Sequence, residues 1–277
     1  MAAVFELNKN LPLPVIILKT PKLERSRVLE ATLKGKKNFQ VNLLISTMAE
    51  SLIDLDKLFI DYETEELKLL EGRELNPREI ACAYSHNEAR AIIANSLSGG
   101  IILEDDARLV NLDALYLMVS SFLRTKLGQK AILNLTGFRN NSVSSLNSHK
   151  IHKLFGIPNL AVGYALTPSA ALELICSNSP IKYVADWPDT KCKYYVPLSP
   201  LVKHGDENNC STIIKDKNDF RKTNKKILIK QLFLHLLSTR LTKKKIKLIK
   251  YLRYQFLRRI YWLVDSLILK LIIQIYK

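Results

Sequence analysis

The sequence predicts an α/β fold, a mostly parallel sheet flanked by helices, and three observations carry that reading. Short, wholly apolar, β-branched runs such as PVIILK at 14–19 and IILE at 101–104 suit strands covered on both faces. Between such runs lie amphipathic segments opened by Thr-Pro or Asn-Pro, an N-cap residue followed by proline at the first helical position. Strands that alternate with helices in this way build a parallel sheet with helices on both faces. The third observation is an uneven charge, which sets a C-terminal extension apart from the body.

In chain order, PVIILK is the first strand. Thr20-Pro21 then reads as the start of a helix whose amphipathic pattern runs to Lys34 and ends at Gly35. FQVNLLIS at 39–46 is the second strand, and the acid-rich piece to Leu70 reads as one or two exposed helices. Asn76-Pro77-Arg78-Glu79 combines a cap residue, proline at N1 and glutamate at N3, a capping box that predicts a helix to about Leu97, stopped by Ser98-Gly99-Gly100. After IILE come a helix over 112–127, the strand AILNLT at 131–136, an Asn/Ser-rich loop at 140–148 and the strand LAVGYALT at 160–167. Thr167-Pro168 repeats the cap device and starts a helix over 168–177. The chain has no internal repeat, no G-x-G-x-x-G and no Walker loop.

With 277 residues, 47% of them apolar, the chain can build a full core. Its net charge of +16 belongs almost entirely to residues 221–277, where 16 Lys and Arg face a single acid, Asp265. Residues 1–220 hold 26 basic and 25 acidic residues, so the body is near neutral. Cys82, Cys176, Cys192 and Cys210 are far apart, without CxxC or zinc-like spacing, and read as free thiols in a reducing cytoplasm. The opening offers an apolar run of only four residues, Val15 to Leu18, before Lys19, so no secretory signal is expected there. The apolar stretch 260–276 carries Asp265 and Lys270, which argues against a transmembrane span.

The chemistry concentrates at Glu104, Asp105 and Asp106, three carboxylates at the carboxyl end of a buried strand. In an open α/β sheet, ligands gather beyond such ends, where the strand order reverses. Adjacent acids can simply open a helix, since carboxylates favour its N-terminus. Three like charges at the mouth of a buried strand nevertheless oppose one another's ionisation unless a cation is near. Carboxylates are hard ligands for Mg²⁺ or Mn²⁺, whose remaining positions phosphate oxygens often fill, which points to a nucleoside diphosphate.

LNPREIACAYSH at 75–86, IILEDD, LAVGYALTPSAALEL, YVADWPDT at 183–190 and YVPLSPLVKH at 195–204 resemble, in order, the blocks of glycosyltransferase family 25, which includes bacterial lipooligosaccharide galactosyltransferases. The opening VIILKTPKLERSR resembles the family's N-terminal block, with Leu18 and Arg25 in place. The resemblance implies a GT-A-like fold, a UDP-sugar donor (most often UDP-galactose), Mn²⁺ or Mg²⁺, and an inverting transfer. It implies donor-site roles for Leu18, Arg25, Glu104 and Asp105. Asp106 would be the strongest metal ligand, with Glu104 facing the ribose or the metal, and His204 would be a late metal ligand where relatives more commonly show glutamine. Asp186 matches the family's late carboxylate and would be the general base that takes the acceptor's proton, with Asp189 in reserve and His86 near the donor. Each has a plainer reading: Asp186 can cap the turn before Trp187-Pro188, His86 can be a hydrogen-bonded core residue, and Arg25 can lie on a solvated helix face. NLTGF at 134–138 is site-adjacent, and Tyr84 and Ser85 read as packing residues.

The tail is a basic amphipathic pattern. Ile260, Leu263, Val264, Leu267, Ile268, Leu271, Ile272 and Ile275 follow helical spacing, and upstream lysines and arginines alternate with Ile, Leu and Phe. Such a segment suits the plane of an anionic membrane surface, each basic residue adding on the order of 1 kcal/mol. The sequence thus predicts two parts. Residues 1–220 form a GT-A-like catalytic domain, and 221–277 form a membrane-associating tail that holds the enzyme on the cytoplasmic face of the inner membrane. The expected acceptor is a lipid-linked oligosaccharide, with no nucleic-acid partner. The rival readings are a metal-dependent phosphohydrolase and a non-enzymatic membrane or nucleic-acid adaptor.

Overall fold

A computed structural model describes residues 12–21, 24–63, 74–137, 151–154, 162–185 and 190–205. The expectations for Asp186, Asp189, Cys210 and the tail at 221–277, and with it the boundary near residue 220, lie outside the described residues.

The strands in chain order are β1 (Leu13–Lys19), β2 (Phe39–Ile45), β3 (Gly100–Glu104), β4 (Ala107–Leu109), β5 (Ala131–Asn134), β6 (Ile151–Lys153), β7 (Gly163–Leu166), β8 (Lys193–Pro197) and β9 (Val202–His204). The helices are α1 (Arg27–Leu33), α2 (Leu52–Lys57), α3 (Pro77–Ala94), α4 (Leu112–Lys126) and α5 (Pro168–Ser177). Seven strands form one sheet in the order β2-β1-β3-β7-β5-β8-β6, and β4 pairs with β9 in a small ribbon. Five of the seven run the same way, because β7 is antiparallel to both of its neighbours and β6 is antiparallel to β8.

β1 shows why its sequence is apolar from Leu13 to Leu18. Val15 and Ile17 join one core cluster with Leu29 and Leu33 of α1 and with Leu115, Val119 and Phe122 of α4. Ile16 and Leu18 join the opposite cluster with Ala89 and Ile93 of α3 and Ala170 and Leu174 of α5. Successive strand residues point to opposite faces, so a strand covered twice has no polar positions to spare. Each fully buried Ile or Leu contributes about 1.5–3 kcal/mol.

Local signals place two helices where the sequence predicts them. Asn76 accepts from the Glu79 amide while Glu79 reaches back to the Asn76 amide, completing the capping box of α3. The Thr167 side chain caps α5 through the Ala170 amide. Gly99 has φ +82°, and a Cβ there would lie 2.4 Å from the Leu166 carbonyl oxygen, so only glycine allows the turn into β3.

One expectation is corrected. Thr20-Pro21 does not start the first helix. A 3₁₀ turn at Glu24–Ser26 leads into α1, which begins at Arg27 with no side-chain cap. The sheet is mostly parallel as expected, and the expectation gave no direction for the strand at 163–166, which runs against both of its neighbours, β3 and β5. Among the described residues Cys82, Cys176 and Cys192 form no disulfide with one another. Among the described residues no helix is long and apolar enough to cross a membrane.

The topology also locates a ligand site. From β1 the chain passes to β2 on one side, and β3 lies on the other, so the order reverses at β1. The crevice at such a reversal lies beyond the carboxyl ends of the strands, here Lys19-Thr20 after β1 and Glu104–Asp106 after β3.

Candidate active site

The three acids leave β3 in different directions. Glu104 is aligned with Leu18 of β1, and its amide donates to the Val162 carbonyl at 2.9 Å. Asp105, 6% exposed, turns inward, where its Oδ2 accepts from the Thr20 amide at 3.3 Å. That bond fastens the loop after β1 to the end of β3, which explains why Thr20 serves the crevice instead of a helix. A tight turn at Asp105-Asp106 leads directly into β4, so the acids do not open a helix.

Asp106 faces His204 across the β4–β9 ribbon, with Oδ2 3.2 Å from Nε2. The ribbon closes on itself through the Gly205 amide, which donates to the Asp106 carbonyl at 2.7 Å. A Cβ on Gly205 would lie 2.4 Å from that carbonyl oxygen, so glycine permits the close approach.

The electrostatics of the trio are unfavourable without a cation. Burial first, and the Asp106 charge second, push Glu104 up to about 8. Burial also pushes Asp106 up, against the opposing pull of His204 and Arg25. The Asp106 Oδ1 atom is buried and has no hydrogen-bond partner. His204 lies beside Asp106. Its Nδ1 is 2.8 Å from the Gly205 carbonyl, which can only accept, so the Nδ1 proton is committed there. Nε2 faces Asp106 Oδ2, and that contact is favourable only with a proton or a cation between the two atoms. Metal-binding histidines are commonly oriented in this way, with the second ring nitrogen donating to a backbone carbonyl.

These residues fit a divalent cation. Asp106 and His204 would hold it, with Glu104 beside them, in the oxygen-rich setting that suits Mn²⁺ or Mg²⁺. A second donor set, Cys82, His86 and Glu104, has ligand atoms within 4.8 Å of one another. Its thiol and imidazole suit a softer ion such as Zn²⁺. Both His86 nitrogens are already within hydrogen-bond distance of partners, Tyr164 at 3.0 Å and Glu104 at 3.2 Å, so we assign that cluster to orientation of Glu104.

Residues 15–187 match the sequence profile of glycosyltransferase family 25 (LPS biosynthesis protein), a span that takes in β1, His86 and the acid trio. The chain belongs to glycosyltransferase family 25. As a member of that family it is a glycosyltransferase of lipopolysaccharide biosynthesis, and its donor class is a nucleotide sugar. No curated protein matches the chain at a significant level. His204 and the basic tail lie beyond the matched span.

The family-25 chain brings together Glu104, Asp105, Asp106, His204 and His86, with Arg25 close enough to favour the Asp106 charge. Leu18 is packed into the core, so it serves the crevice only by placing β1 beside Glu104. His86 is fully buried and reaches the crevice through Glu104. Ser85 accepts from the Thr47 amide at 2.8 Å and so ties the loop after β2 to α3. In NLTGF, Asn134 accepts from the Thr136 amide and hydroxyl, which fixes the turn after β5. Sequence reasoning missed Tyr164 and Arg90, which continue the chain of hydrogen bonds from His86 into the core. One signal was present: Cys82, His86 and Arg90 recur every four residues, so an arginine shares the buried face of α3.

Proposed function

We propose that this glycosyltransferase has a GT-A-like catalytic body and transfers galactose, or a related hexose, from a UDP-sugar to a lipooligosaccharide or lipopolysaccharide acceptor with inversion. The observation that carries the donor-site reading is the orphaned Asp106 Oδ1 beside a His204 whose Nδ1 proton is already committed to Gly205. Asp106 and His204 would hold Mn²⁺ or Mg²⁺, which supplies charge neutralisation for the diphosphate leaving group when bound. Glu104 presents a carboxylate to the ribose or the metal, Asp105 keeps the loop after β1 closed on the crevice, and Arg25 adds positive potential beside Asp106. Asp186, with Asp189 in reserve, takes the proton from the acceptor hydroxyl. Ala185, the residue before Asp186, is held by Arg90 through its carbonyl at 3.0 Å. The basic tail at 221–277 places this chemistry at an anionic membrane surface, where a lipid-linked acceptor is found.

The test is a panel of UDP-sugars with and without Mn²⁺, read by mass spectrometry against intact and delipidated core oligosaccharides. Metal-dependent mass gain of one hexose on the acceptor is expected from UDP-galactose. Consumption of donor with water alone and no glycosylated product would favour the phosphohydrolase reading instead. Removing residues 221–277 is expected to abolish binding to anionic vesicles while donor hydrolysis persists, measured by vesicle co-sedimentation and UDP release.

A further inference from the structure

We propose that Tyr164 and Arg90 are positioning residues for the donor site, fixing a single tautomer of His86 so that its Nε2–H is aimed at Glu104. The direction of each bond follows from what each partner can donate. A guanidinium only donates, so Arg90 Nε–H gives its proton to the Tyr164 oxygen, 3.2 Å away. The Tyr164 oxygen could also accept from an Nδ1–H, but its own proton would then have no acceptor among the described residues, so the relay runs from the Tyr164 hydroxyl to His86 Nδ1 at 3.0 Å. An imidazole that accepts at Nδ1 carries its proton on Nε2, which stands 3.2 Å from Glu104 Oε1. With Glu104 as a carboxylate, the opposite tautomer would set lone pair against lone pair.

Burial makes this chain a support, not a set of contacts with substrate. His86 is 0% exposed, Arg90 2% and Tyr164 5%, whereas the Glu104 side chain keeps 29% of its surface. The relay therefore occupies Oε1 and leaves Oε2 for a ligand. Arg90 is anchored in turn, donating from Nη1 to Asn87 Oδ1 at 2.9 Å and from Nη2 to the Ala185 carbonyl at 3.0 Å. One buried guanidinium thus ties α3, β7 and the segment leading to residue 186 to the orientation of Glu104. Hydrogen-bonded chains of this kind are stiffer than their separate links, and loss of an outer partner of a binding group typically costs about 10–100-fold.

This inference rests on Glu104 belonging to the donor site, and the experiment separates the two. In the full-length protein, Tyr164→Phe, His86→Met and His86→Gln are compared for UDP affinity with Mn²⁺ by calorimetry, for donor KM and kcat, and for thermal midpoint. Tyr164→Phe and His86→Met are expected to weaken UDP binding and raise donor KM by about tenfold. His86→Gln, which keeps an N–H near the Nε2 position, is expected to recover most of the affinity. In a Glu104→Gln background, Tyr164→Phe should add little further loss, because its effect passes through Glu104. An equal loss in both backgrounds, or wild-type affinity in His86→Met, would overturn the proposal. The tautomer is read without any donor, from the ¹⁵N shifts of His86 in the metal-free protein above pH 8, where Glu104 is a carboxylate, assigned against His86→Gln. An Nε2–H signature that is lost in Tyr164→Phe supports the relay, and an Nδ1–H signature in the wild type overturns it. Absence of UDP binding by the wild type, with the Nε2–H signature present, would overturn only the donor-site reading.

Discussion

His86 and His204 each stand 3.2 Å from a carboxylate of the same trio, yet their surroundings differ in every other respect. His86 is fully buried on α3, and its two nitrogens face Tyr164 and Glu104. His204 ends a three-residue strand, keeps 34% of its side-chain surface, and has one nitrogen committed to a backbone carbonyl while the other faces Asp106. A satisfied, inaccessible histidine orients a neighbour. An accessible one that faces one oxygen of a carboxylate whose other oxygen is buried without a partner suits a group that arrives from solution. On the proposed reading the two sides of the site divide the work, holding on the α3 side and binding on the ribbon side.

Removing the binding side should give the largest effect. Asp106→Asn and His204→Ala are each expected to lower Mn²⁺-dependent turnover of the donor on the order of a hundredfold or more, since a metal at a leaving diphosphate supplies several kcal/mol. Calorimetry of UDP with and without Mn²⁺ checks the same point independently of turnover. Metal-dependent affinity that survives both substitutions would break the contrast between the histidines, because His204 would then be no more a ligand than His86.

A smaller effect is expected from Gly205→Ala, which leaves the Asp106 and His204 side chains chemically unchanged although the Gly205 backbone bonds to both residues. The new methyl group would lie 2.4 Å from the Asp106 carbonyl oxygen, so β9 must move away from β4 and carry His204 with it. Forced separation of this kind costs about 1–3 kcal/mol, and the expected result is weaker Mn²⁺ binding by calorimetry together with a lower thermal midpoint. Unchanged metal affinity with lowered stability would show that the ribbon closes the fold without setting the metal geometry.

The same contrast explains which parts were legible in the sequence. β1, the capping box of α3 and the Thr167 cap of α5 could be read because each is encoded within a few residues. The acid trio could be read because three carboxylates at the end of an apolar strand conflict with simple electrostatics. The ribbon could not, since Asp106 and His204 meet only through pairing of strands about a hundred residues apart. The His86 relay could not either, because Tyr164 and Arg90 are 74 residues apart in sequence and meet only when β7 lies against α3. Thr20-Pro21 misled because local cap chemistry was overridden by a long-range bond from the Thr20 amide to Asp105. The direction of β7 is a property of its neighbours, which no local pattern carries.

The smallest expected effect is on stability, and it separates the two sides by pH. Glu104 keeps its proton to about pH 8 in the folded chain, against an ordinary value of 4.5 when unfolded, so the folded state binds more protons across that window. Its contribution to stability is complete below about pH 4.5 and is lost as pH rises toward 8. The metal-free protein should therefore melt a few degrees lower at pH 8 than at pH 5, with that decline reduced in Glu104→Gln. On the proposed reading Mn²⁺ would bind the ionised carboxylates and should raise the midpoint most at the alkaline end, an effect expected to vanish in His204→Ala and to persist in His86→Gln. Equal loss of the Mn²⁺ effect in both variants would mean that the two histidines act together on one ion, and the division between holding and binding would fail.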